Sequence, residues 1–470
     1  MTSKSSTLVV RATKPPPGPT GAWASLSNIR RGWRDPLSLL TETTRKYGKV
    51  AMARFGPMRY VVVEDPVAIK HVLLDNVKNY VKSRNYSGIK LLLGNGLLTS
   101  EGDFWRRQRK LSQPAFHRDR MSGFVESMAS ATDEAVTRWN EMGKSAGKGG
   151  AFEVDVHEEM NRLTFHIVGL TLLTQDLLGD AETTGKALTV AMYFANEYAE
   201  SLVPIPLWVP TPKNRRFLEA RAALDQMVFR IIGERRARRV PGAKGDLLDM
   251  LMEARDEETG EGMSDRQLRD EIMTLILAGH ETTANALTFT FYLLSKNPDV
   301  MRRLAAEVDE VLGGRSPQLS DLPKLSLTKR VLEESMRLYP PAWMFERQAL
   351  EDDELNGFHV PKGSVIGVCT YVLHRDPDNF ENPEGFDPDR FLGDPKDRAK
   401  YTYLPFGGGA RVCIGNAFAM MEAQIVLAKI VQSYRLDLLP NTKLELDPVI
   451  TLRPRGGLKM RMTPVTMSPV

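Results

Sequence analysis

A mainly helical fold with small β-sheets follows from three patterns in the sequence. Residues 264–297 keep a helical period for roughly 30 positions, about 45 Å of helix, so this segment must thread the core. Helical patterns also run almost unbroken from 104 to about 239. Strand-like alternation, by contrast, is confined to short stretches near 50–63 and 360–372.

Taken in order, residues 1–10 are polar and hold no apolar run of about 20 residues. Lys14-Pro15-Pro16-Pro17-Gly18-Pro19 is a stiff extended arm. A short amphipathic helix is predicted over 35–47. Val50-Ala51-Met52-Ala53-Arg54-Phe55 and Tyr60-Val61-Val62-Val63 flank Gly56-Pro57 as a β-hairpin. Residues 66–75 read as helix, and 81–100, with scattered glycines and no period, as a loop or short helical turns. Phe104-Trp105-Arg106-Arg107-Gln108-Arg109-Lys110 opens a basic helix. Its Trp105 and Arg109, four apart, share one face and can grip one anion; a solvated basic helix with Trp105 buried is the plainer reading. Pro204-Ile205-Pro206-Leu207-Trp208-Val209-Pro210-Thr211-Pro212 interrupts the helices, either as a lid or lipid-touching surface or as a rigid buried turn.

The long helix has its start written in Ser264 and Gln267, a capping box. Its middle carries Ala278-Gly279-His280-Glu281-Thr282-Thr283. Two small residues open space there, and a carboxylate and hydroxyls enter apolar surroundings, where polar groups are costly unless used. Such an acid–alcohol pair suits proton transfer; a kinked core helix is the bland alternative. Glu334 and Arg337, three apart in the helix ended by Pro340-Pro341, make at least a salt bridge. Strands return around Val360, 365–368 and Tyr371-Val372, with Cys369 a packing residue among them.

Composition excludes much. The 470 residues carry a net charge of +4, which gives no strong case for nucleic acid or an anionic membrane. Two cysteines, Cys369 and Cys413, build no disulfide framework, zinc finger or iron–sulfur cluster, and fit a reducing compartment. Cys413 follows Phe406-Gly407-Gly408-Gly409-Ala410-Arg411-Val412 and precedes Ile414-Gly415 and an apolar helical pattern. A helix start favours its thiolate, which suits a soft metal bound from one side. A buried structural cysteine at a glycine turn is equally compatible with these residues alone.

Together, A-G-x-E-T-T at 278–283, E-x-x-R at 334–337, F-x-P-x-R-F at 386–391 and F-G-x-G-x-R-x-C-x-G at 406–415 resemble, in order, the motifs of the cytochrome P450 family. The resemblance covers nearly the whole chain. It implies a cytochrome P450 fold whose long central helix crosses the distal haem face. The implied layout is a Pro-rich arm over 1–25 and a single haem domain over 26–470, β-rich at about 48–64 and 340–390 and helical at about 104–338. It implies haem b (iron protoporphyrin IX) with Cys413 as iron ligand. Thr282 and Glu281 become the proton-delivering pair, and Arg411, Arg347, Trp105 and Arg109 the propionate donors, with Arg84 a weaker candidate. Phe406, Gly407 and Gly415 frame the cysteine, while Glu334, Arg337 and Arg390 brace its loop.

The implied reaction is insertion of one oxygen atom from O2 into a lipophilic small molecule such as a fatty acid, terpenoid or steroid. Ala278, Gly279, Ala342, Trp343, Met344 and Thr451 would line the pocket. Electrons would come from a separate ferredoxin with its reductase, or from a flavoprotein reductase, docking on Arg106, Arg107 and Lys110. The expected protein is a soluble, bacterial-type, cytoplasmic monomer. A peroxygenase, a redox-neutral haem-thiolate enzyme and a non-catalytic haem sensor share the cysteine loop; the Glu281-Thr282 pair favours dioxygen use.

Overall fold

Local chemistry sets the first elements. The Asp35 carboxylate accepts the Ser38 N–H at 3.0 Å and Pro36 occupies the first turn, so helix α2 (Pro36–Tyr47) starts directly after α1 (Ala22–Arg34). The computed structural model describes residues 13–116, 123–147, 150–177, 179, 181–201, 203–238, 246–255 and 260–465; the readings made for 1–10 lie outside them. Two compact units divide the chain. One comprises Met1–Arg84, Met344–Pro383 and Arg398–Val412, the other Asn85–Trp343, Glu384–Asp397 and Cys413–Val470.

In the first unit, Val50–Phe55 and Met58–Val63 form the expected hairpin, pairing Val50 with Val63 through Phe55 with Met58. Met58–Val63 runs parallel to Val365–Val368, which pairs antiparallel with Phe345–Ala349, and Tyr80–Val81 closes the five-stranded sheet. Val61, Val63, Ile366 and Val368 fill its core together with Ile69 and Val72. The proline arm is extended, yet pinned: Pro17 O accepts the Met52 N–H and Lys14 O the His359 N–H, each at 2.9 Å.

The second unit holds helices α3 (Tyr86–Leu93), α4 (Gly102–Ser112), α5 (Phe124–Ala146), α6 (Val156–Leu172), α7 (Ala181–Glu200), α8 (Pro212–Arg238), α9 (Asp265–Lys296), α10 (Pro298–Leu312), α11 (Ser326–Leu338) and α12 (Asn416–Ser433). Lys459–Pro464 lies between Phe152–Asp155 and Tyr434–Leu438, antiparallel to both, and Leu446–Pro448 pairs with Leu452–Pro454. The predicted capping box starts α9, with Ser264 and Gln267 exchanging both hydrogen bonds.

Tyr371-Val372, read as strand, instead lies in the short helix Thr370–Leu373. The stretch read as a loop or short helical turns over 81–100 takes the second form, with the two-turn helix α3. Its Gly88, which looked like a breaker, instead allows close packing, because a Cβ there would stand 1.9 Å from the Ala195 carbonyl oxygen on α7. The proline-rich connector is rigid but not buried. Asn214 Nδ2 donates to Pro206 O and Val209 O at 2.8 Å each, while Val203, Ile205 and Trp208 are exposed.

Candidate active site

Cys413 stands three residues ahead of α12, whose N-cap is Gly415. The thiol is solvent-exposed although protein crowds it closely. Crowding pushes its pKa up, and the Gly415 N–H and the Arg109 guanidinium oppose this without overcoming it. The thiolate favoured by the sequence reading is therefore not the resting form of the bare residue: desolvation outweighs the helix terminus. A bound metal cation would deprotonate it outright. Arg109 and Trp105 lie on one face of α4, both partly buried, and burial lowers the Arg109 pKa while Cys413 opposes that shift.

Helix α9 lies in the same unit as Cys413. From Leu268 to Leu294 its side chains are buried except at Ala278, Gly279, Thr282 and Tyr292. Three of these four adjoin, so the helix is uncovered just where its side chains are smallest. The Thr282 hydroxyl donates to Ala278 O at 2.6 Å and the Thr283 hydroxyl to Gly279 O at 3.1 Å. Glu281 points elsewhere. It is buried, and its Oε1 accepts the Thr451 hydroxyl at 2.8 Å, with Arg453 Nη1 at 3.7 Å. Burial raises its pKa; Arg453 and Thr451 pull the other way. Glu422 on α12 is fully buried and its pKa lies well above the usual carboxylate range. Nearby Thr283 offsets this only slightly, its hydrogen being committed to Gly279.

The E-x-x-R pair is no surface bridge. Arg337 Nε and Nη2 donate to Glu334 at 2.7 and 2.8 Å with both side chains fully buried. Arg390 Nε and the Asp387 N–H also reach Glu334 Oε1, at 3.0 and 2.9 Å. Trp343 is buried and its indole N–H donates to Val449 O at 2.8 Å, whereas Ala342 is exposed.

In the first unit, Gly407 and Gly409 take positive φ (69° and 66°), while Gly408 is extended. Gly409 is obligatory: a Cβ would lie 2.2 Å from the Leu73 carbonyl oxygen. Phe406 and Arg411 are half-buried. Arg347 is buried with Nη1 donating to Glu346 O at 2.8 Å. Arg84 is exposed, and Met344 Sδ accepts the Tyr60 hydroxyl at 2.9 Å.

With this geometry in hand, the family model described as Cytochrome P450 matches residues 15–460. The chain belongs to the cytochrome P450 family. "Cyclooctatin synthase" of Streptomyces melanosporofaciens is 38% identical over 93% of this chain and 91% of the relative. "Cyclooctat-9-en-7-ol 5-monooxygenase" of the same organism is 37% identical over 88% and 87%. "Protein LUTEIN DEFICIENT 5, chloroplastic" of Arabidopsis thaliana is 32% identical over 90% and 73%.

Membership makes the protein an oxygen-dependent monooxygenase of lipophilic compounds that carries haem b on a cysteine thiolate and draws electrons from a redox partner. The residues fit that group. An exposed cysteine, a guanidinium and indole on one helical face, and a buried helix left uncovered at Ala278, Gly279 and Thr282 answer a flat porphyrin with two carboxylates. Sequence reasoning missed Arg453, Asn285, His157 and Glu422 of this cytochrome P450. No local motif marks them, since each acquires its meaning from a partner distant in the chain.

Proposed function

We propose that this cytochrome P450 oxidises a terpenoid-class hydrocarbon or alcohol, with Cys413 as the iron ligand. The substrate class rests on the relative named for monooxygenation of cyclooctat-9-en-7-ol, which aligns with 88% of the chain. The choice of cysteine rests on access: Cys369 is buried and desolvation raises its thiol pKa, whereas Cys413 is exposed. Haem with a thiolate ligand supplies activation of dioxygen, one atom entering the substrate and the other leaving as water.

The chain's own residues then do four things. Trp105 Nε1–H, Arg109, Arg347 and Arg411, with Arg84 as an outlying candidate, bind carboxylates by charge-assisted bonds. Phe406, Gly407 and Gly415 shape the turn around the sulfur. Ala278, Gly279, Ala342 and Met344 leave room for an apolar substrate, whereas Trp343 and Thr451, committed to Val449 O and Glu281, serve as fixed wall. Thr282 Oγ1 has spent its hydrogen on Ala278 O and keeps lone pairs to accept one, so it holds a proton donor in position. Glu281 passes protons to that neighbourhood.

Residues 26–470 act as one catalytic domain in a cytoplasmic monomer. A separate ferredoxin with its reductase delivers the electrons at Arg106, Arg107 and Lys110 on α4.

The test is a titration of the haem-loaded protein with terpenoid alcohols and with fatty acids, followed by haem absorbance and then product analysis with surrogate electron donors. A hydroxylated terpenoid is expected. Binding and oxidation of fatty acids alone would overturn the substrate class.

A further inference from the structure

Glu281 stands at the end of a row of side chains from three separate segments. Thr451 Oγ1 donates to Glu281 Oε1 at 2.8 Å, Asn285 Nδ2 reaches Thr451 Oγ1 at 3.3 Å, and Asn285 Oδ1 lies 2.9 Å from His157 Nε2 on α6. With Glu281 ionised, the order of donors is forced. The single Thr451 hydrogen goes to the carboxylate, so its oxygen must accept from the Asn285 amide N–H. That turns Asn285 Oδ1 toward the imidazole, and Nε2 of His157 must carry the hydrogen. Every link therefore donates toward Glu281, and hydrogen bonds aligned this way polarise one another.

We infer that His157 is a positioning residue of this enzyme, fixing the carboxyl group of Glu281 through Asn285 and Thr451. The inference rests on the proton-delivering role given to Glu281 above. Beyond Arg453 Nη1 at 3.7 Å the carboxyl group has little else to hold it: its Oε2 has no hydrogen-bond partner among the described residues, and neither has Arg453 Nη2. Other charged or titratable groups face the row from each neighbouring segment. Arg453 is shared with Asp447 through Nε at 3.3 Å and stacks 4.4 Å from the Tyr193 ring, whose hydroxyl donates to Asp447. Asp155 lies beside His157, and His280 on α9 is a buried imidazole bonded to Ile276 O. Burial keeps both imidazoles uncharged at neutral pH. The His157 end is partly exposed and the Glu281 end buried, so the row ties the acid to a neutral group at the protein's edge.

The experiment uses the holoenzyme and its His157→Leu, His157→Gln and Thr451→Val variants. One readout is the infrared carboxyl band that disappears in Glu281→Gln, titrated with pH; the other is product formed per dioxygen consumed. His157→Leu and Thr451→Val are expected to move the band and carry its titration to higher pH. They should also shift the ratio of product to peroxide about tenfold toward peroxide. His157→Gln, which keeps an N–H donor, is expected to restore both. A band and titration unchanged in His157→Leu and Thr451→Val would overturn the inference. If the band moves as expected while Glu281→Gln leaves the product yield intact, the row stands and the proton role of Glu281 falls.

Discussion

At the scale of single residues, the lesson is how far environment reverses intrinsic chemistry. Cys413 follows a glycine-rich turn at a helix start, yet crowding holds its proton on until a cation takes it. Glu334 and Arg337 form a pattern that is cheap in any sequence, but here it is fully buried and met by Arg390 and the Asp387 N–H. Removing one member strands the other charges away from water at a cost of about 3–5 kcal/mol. Glu334→Ala is therefore expected to purify with little haem, read as the ratio of haem to protein absorbance; full haem content would contradict the bracing role.

At the scale of elements, the most informative contact is between the segment after α3 and the first turns of α9. Asp270 Oδ2 accepts the Asn95 N–H at 2.8 Å and Glu271 Oε2 the Leu97 N–H at 3.0 Å, with Arg269 holding Asp270 and Asp225. Burial pushes Glu271 up to about 7. Because the folded pKa exceeds the ordinary value of 4.5, stability from the protonated form is complete below about pH 4.5 and is lost as pH rises to about 7. The loss is about 3 kcal/mol. Glu64 in the first unit, pushed up to about 8, works in the same direction. Glu271→Gln should thus flatten, without abolishing, the fall in denaturation midpoint between pH 4.5 and 7. An unchanged slope would count against it.

The elements themselves were legible where a local signal fixes them: the Ser264–Gln267 box and the hairpin around Gly56-Pro57. Helix α3 was legible only as one of two alternatives, because Gly88 signals a break locally and a close approach only once α7 is beside it.

At the scale of the whole molecule, ordered motifs gave the family, since spacing along the chain carries that information. They gave nothing of the His157 row, assembled from positions 157, 281, 285 and 451, nor of the substrate, which shape decides. Among the described residues no helix is long and apolar enough to cross a membrane. Electron supply is a property of the entire chain. Haem-loaded protein is expected to stay oxidised with NADH alone and to be reduced when ferredoxin and its reductase are added. Neutralising Arg106, Arg107 and Lys110 together should slow that reduction about tenfold at low salt, a difference fading as salt rises. Arg106 already pairs with Asp103, and Arg107 donates to Glu261 O. Salt-independent reduction in the triple variant and the parent alike would remove α4 as the docking face.

The clasp on residues 95 and 97 has an evolutionary consequence. Asp270 and Glu271 grip main-chain amides, so this contact is blind to which side chains the segment carries. Gly94 and Gly96 are immovable, because a Cβ at either would stand 2.2 Å from Asp270 or Thr274. Asn95 and the exposed Leu98 are bound by no such limit. Diversity can therefore accumulate between the glycines while the backbone path stays constant.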